Sequence, residues 1–136
     1  GLLLEREVDT ITNVMSQPAR PMMALVGGAK IADKIDILRI FIDIADIVVV
    51  GGAMANTFLM AKGIEVGDSL VAKEDLPLAR EVLKKAAEKA KGKYFVFYLP
   101  QDGVVASKLD RLVRLPMGQK PSSRRLPAIW ATGRLA

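Results

Sequence analysis

The chain has 136 residues, 51% of them hydrophobic, a formal net charge of +5, and neither cysteine nor histidine. This length provides one sizeable apolar core, and the lack of cysteine excludes a disulfide framework and thiolate chemistry. The lack of histidine removes the usual general base and the commonest metal ligand, which excludes catalytic triads and metalloproteases. Charged residues interrupt the apolar stretches and no signal peptide is recognisable, so we expect a soluble cytoplasmic protein with no membrane partner.

The first half of the chain predicts a helix, a buried strand and a second helix. Residues 5–17 repeat apolar side chains at helical spacing, and prolines close this segment. Residues 22–26 form a short apolar run that ends in Gly27 and Gly28, which is typical of a buried strand and a tight turn. Residues 29–45 predict a helix whose apolar face comprises Ile31, Ile35, Leu38, Ile42 and Ala45.

The second half repeats this alternation. The β-branched run 47–50 again ends in two glycines and predicts a second buried strand. Residues 57–62 are expected to be helical and residues 63–70 to form a loop. Residues 73–92 predict a helix with a basic C-terminal end that suits its dipole, and residues 94–100 predict a third strand.

The net positive charge lies at the end of the chain. Residues 1–106 contain 13 Lys and Arg against 14 Asp and Glu, whereas residues 107–136 contain seven against one. Residues 109–136 show no sustained period, so we expect a divergent tail, disordered or produced by a reading-frame slip, after a body at 1–108. Because Trp130 is the single aromatic residue after residue 106, no nucleic-acid partner is expected.

Two strand–Gly–Gly–helix units, ALVGGAK and VVVGGAM, suggest a ligand-binding edge. A strand, a crossover helix and a second strand form a right-handed parallel unit, so both glycine turns should lie at the carboxyl edge of one sheet. Open α/β sheets bind ligands there, and a helix start offers free N–H groups to an anion. Lys30 and Lys34, one helical turn apart in the predicted helix, would then reach the phosphates of a nucleotide.

Two alternatives remain open at this stage. The glycines can be simple turns, with the two lysines solvated and relieved by Asp33 and Asp36. A dinucleotide-binding Rossmann domain is the other alternative, although the GxGxxG and Walker A patterns are absent. Such a domain typically has an acidic residue near the end of its second strand, whereas the second predicted strand of this chain ends in Gly51 and Gly52.

Four sequence blocks together resemble the phosphoglycerate kinase family. They are GLLLEREV at 1–8, PMMALVGGAKIADKIDIL at 21–38, IVVVGGAMANTFLMAKGIEVGDSL at 47–70 and FYLPQDGVVASK at 97–108. The resemblance implies an incomplete, Rossmann-like α/β domain, with a partial parallel sheet flanked by helices in three α/β/α layers. It also implies glycolytic phosphoryl transfer from ATP to 3-phosphoglycerate, which yields ADP and 1,3-bisphosphoglycerate and uses Mg²⁺.

The resemblance further implies roles for individual residues. Lys34 matches the lysine that holds the nucleotide phosphates, and Lys30 matches the lysine that engages the transferring phosphoryl group, so these two are the candidate catalytic residues. The chain departs from the family at Ala53, where a third glycine is usual, and at Gln101, where valine is usual. The residues that the resemblance places at the nucleotide are Gly28, Ala29, Lys30, Lys34, Gly51, Gly52, Ala53 and Leu70, with Leu70 beside the adenine.

The resemblance also implies that parts of the enzyme lie outside this sequence. The half that binds 3-phosphoglycerate would precede Gly1, and the ligands of Mg²⁺ would follow the matched region, so no metal ligand is assigned. We therefore expect a fragment that is inactive alone and that self-associates through the exposed edge of an incomplete sheet. A non-catalytic fragment that binds anions or nucleotides is the alternative.

Overall fold

A computed structural model describes residues 2–108, 111–116 and 128–130. Short 3₁₀ turns at Ala32–Lys34 and Lys73–Asp75 precede the second and fourth helices. The helices are α1 (Leu2–Ser16), α2 (Ile35–Ile44), α3 (Gly52–Ala61) and α4 (Leu76–Gly92). The strands are β1 (Met23–Gly27), β2 (Ile47–Gly51), β3 (Val96–Tyr98), β4 (Asp102–Lys108), β5 (Arg111–Pro116) and β6 (Ala128–Trp130).

The first three strands form one parallel sheet in the order β1-β2-β3. Helix α2 connects β1 to β2, and helices α3 and α4 connect β2 to β3. The register pairs Gly27 with Gly51, so both strands end at the same level and both glycine turns lie at one edge. The predicted parallel α/β sheet with flanking helices is therefore confirmed.

The core lies on one face of this sheet. Ala24 and Val26 of β1 face it and pair in register with Val48 and Val50 of β2. Side chains of α2, α3 and α4 complete the same cluster, and Leu38, Phe58 and Val82 among them are almost completely buried. The apolar face predicted for the second helix is confirmed, since Ile31, Leu38, Ile42 and Ala45 are inaccessible and Ile35 packs against them.

The opposite face of the sheet is apolar but only partly covered. Successive side chains of a strand point to opposite faces, so Met23 and Leu25 lie on the side away from the core. They are 62% and 71% exposed, whereas Val49, which β1 and β3 flank, is 3% exposed. Within the described residues β1 is also an edge strand, which leaves one side of its backbone unpaired.

The start of the second helix differs from its prediction. The sequence pattern predicts a continuous helix over 29–45, but the α-helix covers only Ile35–Ile44. Residues 29–31 lie in a bend, and a 3₁₀ turn follows at Ala32–Lys34. Lys30 therefore lies outside the helix, in the bend that precedes it. The helix starts late because the chain must first turn away from the direction of β1 at Gly28 and the residues that follow it.

Lys89 of α4 joins three elements on the core side. Its Nζ donates hydrogen bonds to the carbonyl oxygens of Ile42, Asp43 and Ala45 at the C-terminal end of α2. The ammonium group also lies 4.6 Å from the centroid of the Phe95 ring, just before β3. A cation is favourable at a helix C-terminus, and here it also satisfies orphan carbonyl groups. Burial lowers the pKa of Lys89, consistent with this enclosed position.

Asp46 fastens the segment before β1 to the start of β2. One carboxylate oxygen accepts a hydrogen bond from the Met22 backbone N–H at 2.7 Å, and the other pairs with Arg20 Nη1 at 3.0 Å. The Met22 hydrogen bond, followed by the Arg20 interaction, holds the pKa of Asp46 below its ordinary value of 3.8. The two parallel strands are thus joined at their amino ends through one ionised side chain.

A second, antiparallel sheet has the order β5-β4-β6. Residues 111–116 and 128–130 of the segment set apart as a tail form strands of this sheet, although their sequence shows no sustained alternation. The backbone pairing with β4 explains this, because a ladder of hydrogen bonds does not require alternating side chains. The rest of the predicted tail lies outside the described residues. Among the residues described, no helix has the length and apolar character needed to cross a membrane.

We predict that Asp46→Asn removes an acid-sensitive part of the stability. Because the folded-state pKa lies below the unfolded value, the ionised carboxylate stabilises the fold above about pH 4, and this contribution disappears as the pH falls through the folded pKa. Asparagine keeps an oxygen for the Met22 N–H, so the change removes mainly the charge.

Thermal unfolding followed by circular dichroism between about pH 3 and pH 7 checks this prediction. The parent chain should exceed Asp46→Asn in melting temperature at neutral pH, and the difference should shrink toward the acidic end. Asp43→Asn, which breaks an exposed pair with Lys85, is the matched control and should change the melting temperature little. A difference between parent and Asp46→Asn that is the same at every pH would contradict the prediction.

Candidate functional site at the paired glycine turns

The two glycine turns are in direct contact at the carboxyl edge of the sheet. Gly28 follows β1 and Gly52 begins α3 directly after β2. The Met54 backbone N–H donates to the Gly28 carbonyl oxygen at 2.8 Å, which closes the first turn onto the start of the helix. The sequence-predicted juxtaposition of the turns is therefore present in the fold.

Gly52 is required at this contact for two reasons. Its φ is +69°, a left-handed conformation that residues with a Cβ rarely adopt. A Cβ placed there would stand 2.9 Å from the Gly28 oxygen and 3.0 Å from the Gly28 nitrogen, closer than real Cβ contacts. Gly51, by contrast, has an extended backbone, and a Cβ added to it would meet no atom within 4 Å.

Lys34 lies against the first turn. A Cβ added to Gly28, whose φ is +155°, would meet the Lys34 Cε at 3.0 Å, so the aliphatic part of this lysine passes directly beside the glycine. Within the described part of the chain, the Lys34 ammonium group forms no salt bridge with a carboxylate. The fold thus brings a half-buried cation to the backbone of the turn without neutralising it.

Lys30 is held differently. It lies in the exposed bend between Gly28 and the 3₁₀ turn, with its Nζ 3.8 Å from a Glu74 carboxylate oxygen. Both side chains are more than half exposed, so this pair contributes little to stability and can be replaced by a stronger anion. The suggested relief of the lysines by Asp33 and Asp36 is not what the structure shows for Lys30, and Asp36 pairs with Arg39 instead.

The remaining predicted residues lie in the bend after β1, in the first turn of α3 and in the loop between α3 and α4. Ala29 is exposed beside Lys30. Ala53 lies in the first turn of α3 with a negative φ, so the alanine in place of the family's usual glycine has an ordinary helical backbone. Leu70 is 67% exposed in the loop between α3 and α4. The sequence analysis expected a helix only from residue 57, whereas α3 begins at Gly52 and therefore directs its first backbone N–H groups to this edge.

Three residues that the sequence analysis did not single out fasten the Leu70 loop to the site. Asn56 Nδ2 donates to the Leu70 carbonyl oxygen at 3.2 Å, and Thr57 Oγ1 accepts from the Ala72 N–H at 3.2 Å. Asp75, 3% exposed, accepts from the Ala32 N–H at 3.1 Å and so joins the loop to the first turn. The sequence did contain a signal for these contacts: Asn56 and Thr57 are adjacent polar residues inside the apolar run of α3. Buried polar groups normally form hydrogen bonds, so such residues are expected to have partners.

The edge suits an anionic ligand, but it offers no ready set of ligands for Mg²⁺. The Met54 N–H is engaged by Gly28, but other N–H groups in the first turn of α3 and the two ammonium groups are donors of the kind that phosphate oxygens accept from. In the described segments, no group of three or more Asp or Glu side chains could hold a metal ion. Two carboxylates of the loop after α3, those of Glu74 and Asp75, already engage Lys30 and the Ala32 N–H. We therefore derive no catalytic step through a metal bound to these residues.

This fold and this edge define an α/β protein with a candidate phosphate-binding site where two parallel strands end. A family model described as phosphoglycerate kinase matches residues 1–130. The chain belongs to the phosphoglycerate kinase family.

Individual relatives agree with this assignment. A phosphoglycerate kinase of Moorella thermoacetica is 42% identical over 108 residues, which cover 79% of this chain and 26% of the relative. One of Syntrophobacter fumaroxidans is 43% identical over 127 residues, which cover 91% of this chain and 31% of the relative. A solved structure of phosphoglycerate kinase from Coxiella burnetii superposes with a TM-score of 0.76 at 37% identity, covering 84% of this chain and 29% of that one.

The matches also show how much of the family's length is present. The chain spans between a quarter and a third of the curated relatives just described. The family model reaches residue 130 and thus includes part of the segment that the sequence analysis separated after residue 108. A division of the chain at residue 108 stays a prediction.

We predict that Gly52→Ala disrupts the paired turns whereas Gly51→Ala does not. The first substitution combines a left-handed backbone with a backbone clash, so it should lower the free energy of unfolding by about 1–3 kcal/mol. The second meets open space and should change that free energy by less than about 0.5 kcal/mol. Urea unfolding of the parent and both variants measures the difference. Equal stabilities of the two variants would show that the close approach of Gly52 to Gly28 is absent in solution.

Proposed function

We propose that this chain forms the nucleotide-phosphate edge of a phosphoglycerate kinase, which transfers a phosphoryl group between ATP and 3-phosphoglycerate. The observation that carries the proposal is the contact between the two glycine turns, closed by the Met54 N–H and the Gly28 oxygen, with Lys34 beside it. Family membership supports the reaction class, since the relatives are named phosphoglycerate kinase.

Each candidate residue has a physical role in this proposal. Lys34, with no carboxylate partner among the described residues, would bind the phosphates of ADP or ATP as a point charge. Lys30 would exchange Glu74 for the phosphoryl group that transfers, because spread negative charge in the transition state is stabilised by positioned cations. Gly28, Gly51 and Gly52 would let the nucleotide approach the backbone, with Ala29 and Ala53 beside them and Leu70 against the base.

Two further expectations remain predictions of the sequence. Mg²⁺ would accompany the nucleotide, and 3-phosphoglycerate would come from a part of the enzyme outside this chain. The inactivity of the 136-residue chain alone is untested. A dinucleotide-binding domain gains no support, since β2 ends at Gly51 and α3 starts at Gly52 with no acidic side chain between them.

Calorimetric titration of MgADP into the full 136-residue chain tests the proposal. Lys30→Ala/Lys34→Ala should weaken binding by at least about tenfold, because each lost charge-assisted contact removes roughly 1.5–3 kcal/mol. Lys84→Ala/Lys91→Ala, on the exposed surface of α4, is the control with the same change in charge and should bind as the parent does. A folded parent that shows no saturable heat, or equal binding by both double variants, would reject the site.

We further propose that two copies of the chain associate through the exposed edge of β1, with the apolar face that carries Met23 and Leu25 continuing across the contact. The chain spans 26% of its Moorella relative, and within the described residues nothing pairs with the outer edge of β1 or covers Leu25 and Met23. A second copy offers the same apolar strand, so the two edges can pair around a twofold axis.

Size-exclusion chromatography with light scattering measures this association. The parent should elute at twice the monomer mass or more, and Leu25→Lys should shift it to the monomer. Ile40→Lys is the control, since Ile40 is another exposed apolar residue, at 41%, but lies on α2. A monomeric parent at concentrations of about 100 µM, far above the Kd of a specific dimer, would contradict the proposal.

A further inference from the structure

We propose that Asn56 and Thr57 are positioning residues that hold the Leu70 wall of the nucleotide site and thereby set its preference for a nucleotide over a bare phosphate chain. This inference rests on the function proposed above. It concerns the base side of the site, whereas the lysines concern the phosphates.

The two residues occupy an unusual place in the helix. Residues 54–59 of α3 are all buried, and the other four are Met54, Ala55, Phe58 and Leu59. Asn56 is 2% exposed and Thr57 is fully buried. Placing a polar side chain in such surroundings is unfavourable unless it forms hydrogen bonds. Both residues direct their hydrogen bonds to one short stretch of loop, at Leu70 and Ala72.

Asn56 indicates that position, more than stability, is the purpose of this arrangement. Its Nδ2 bonds to the Leu70 carbonyl, but its buried Oδ1 has no partner in the described part of the chain. An unsatisfied buried acceptor is destabilising, and an apolar side chain of similar shape would avoid that loss. The amide therefore stabilises the fold less than a fully bonded one would, and its single hydrogen bond holds the backbone oxygen of Leu70.

Leu70, whose carbonyl oxygen Asn56 holds, has an exposed apolar side chain. The Leu70 side chain is 67% exposed although its carbonyl is held from the buried side of α3. Asn56 follows Gly52 by four residues, a rise of about 6 Å along the helix. The helix that begins at the glycine turn therefore also anchors the loop one turn later. Asp75 holds the end of the same loop segment against Ala32 beyond the first turn, so the loop is fastened at Leu70 and again on its C-terminal side.

In this proposal, the contacts to the phosphates and the contacts to the base contribute separately to the affinity for a nucleotide. Phosphate groups would interact with the lysines and the turn backbone, which do not depend on Leu70. A base would require an apolar surface held at a defined distance from that turn, and a loop that moves by about 1 Å loses such a contact. Loss of the Asn56 or Thr57 bonds should therefore lower affinity for MgADP while affinity for magnesium pyrophosphate stays as it was.

The experiment compares four full-length chains: the parent, Thr57→Val, Asn56→Leu and the control Thr57→Ser. Valine removes the hydroxyl acceptor with little change in shape, and serine keeps it. Calorimetry gives the Kd for MgADP and for magnesium pyrophosphate, and hydrogen exchange gives the protection of the Ala72 amide without ligand. Circular dichroism melts establish that each variant is folded.

We expect Thr57→Val and Asn56→Leu to weaken MgADP binding by about five- to tenfold, the effect of one lost hydrogen bond, with pyrophosphate binding within about twofold of the parent. The Ala72 amide should exchange faster in Thr57→Val and at the parental rate in Thr57→Ser, which should also recover MgADP binding. Asn56→Leu should leave the melting temperature unchanged. If the role of Asn56 were purely structural, the substitution would lower it.

The outcomes distinguish this inference from the proposed function. If the parent binds both ligands and the ratio of their affinities is unchanged in Thr57→Val and Asn56→Leu, the positioning role is wrong and the nucleotide site stands. Unchanged exchange of the Ala72 amide in Thr57→Val overturns the positioning role independently of any ligand. If the folded parent binds neither ligand, the proposed function fails and this inference fails with it.

Discussion

The close approach of Gly28 and Gly52 is the constraint on which the rest of the site depends. Two parallel strands in register bring their ends to one level, and the carbonyl oxygen of Gly28 then accepts a hydrogen bond from the Met54 N–H in the first turn of α3. Space for this contact exists because Gly52 has no Cβ and adopts a left-handed φ. The contact between the turns fixes the start of α3 through the Met54 N–H, and the Lys34 side chain packs beside Gly28 in the first turn.

The loop between α3 and α4 carries Leu70 of the candidate site and is held by side chains rather than by secondary structure. Asn56 and Thr57 reach it from a buried helix, Asp75 ties it to the first turn, and Glu74 pairs with Lys30 across the opening. Asp75 thus joins the loop to the segment after the first turn, whereas the exposed Glu74 pair with Lys30 contributes little to stability. An incoming phosphate would compete only with the exposed Glu74 contact, since Asp75 engages a backbone N–H.

One face of the parallel sheet is covered by helices, and the other is partly exposed. On the core side, three helices bury their apolar residues against Ala24, Val26, Val48 and Val50, and Lys89 closes the end of α2. On the other side, Leu25 and Met23 remain exposed on an edge strand. Within the described residues, the candidate ligand edge is therefore complete in its two turns, while the face that carries Leu25 and Met23 is exposed.

The sequence by itself determined the parallel strands, the glycine turns at one edge and the family, because these follow from local runs of apolar residues and from motifs read along the chain. It placed Lys30 and Lys34 at that edge correctly but put both in one helix, since helical periodicity does not reveal where a strained turn delays the helix start. Only the tertiary structure decided that Glu74 faces Lys30, that Lys34 lies over Gly28, and that Asn56 and Thr57 hold Leu70. The sequence can mark Asn56 and Thr57 as polar residues in an apolar run, but it does not name their partners, because these contacts form only after the helices have packed on the sheet.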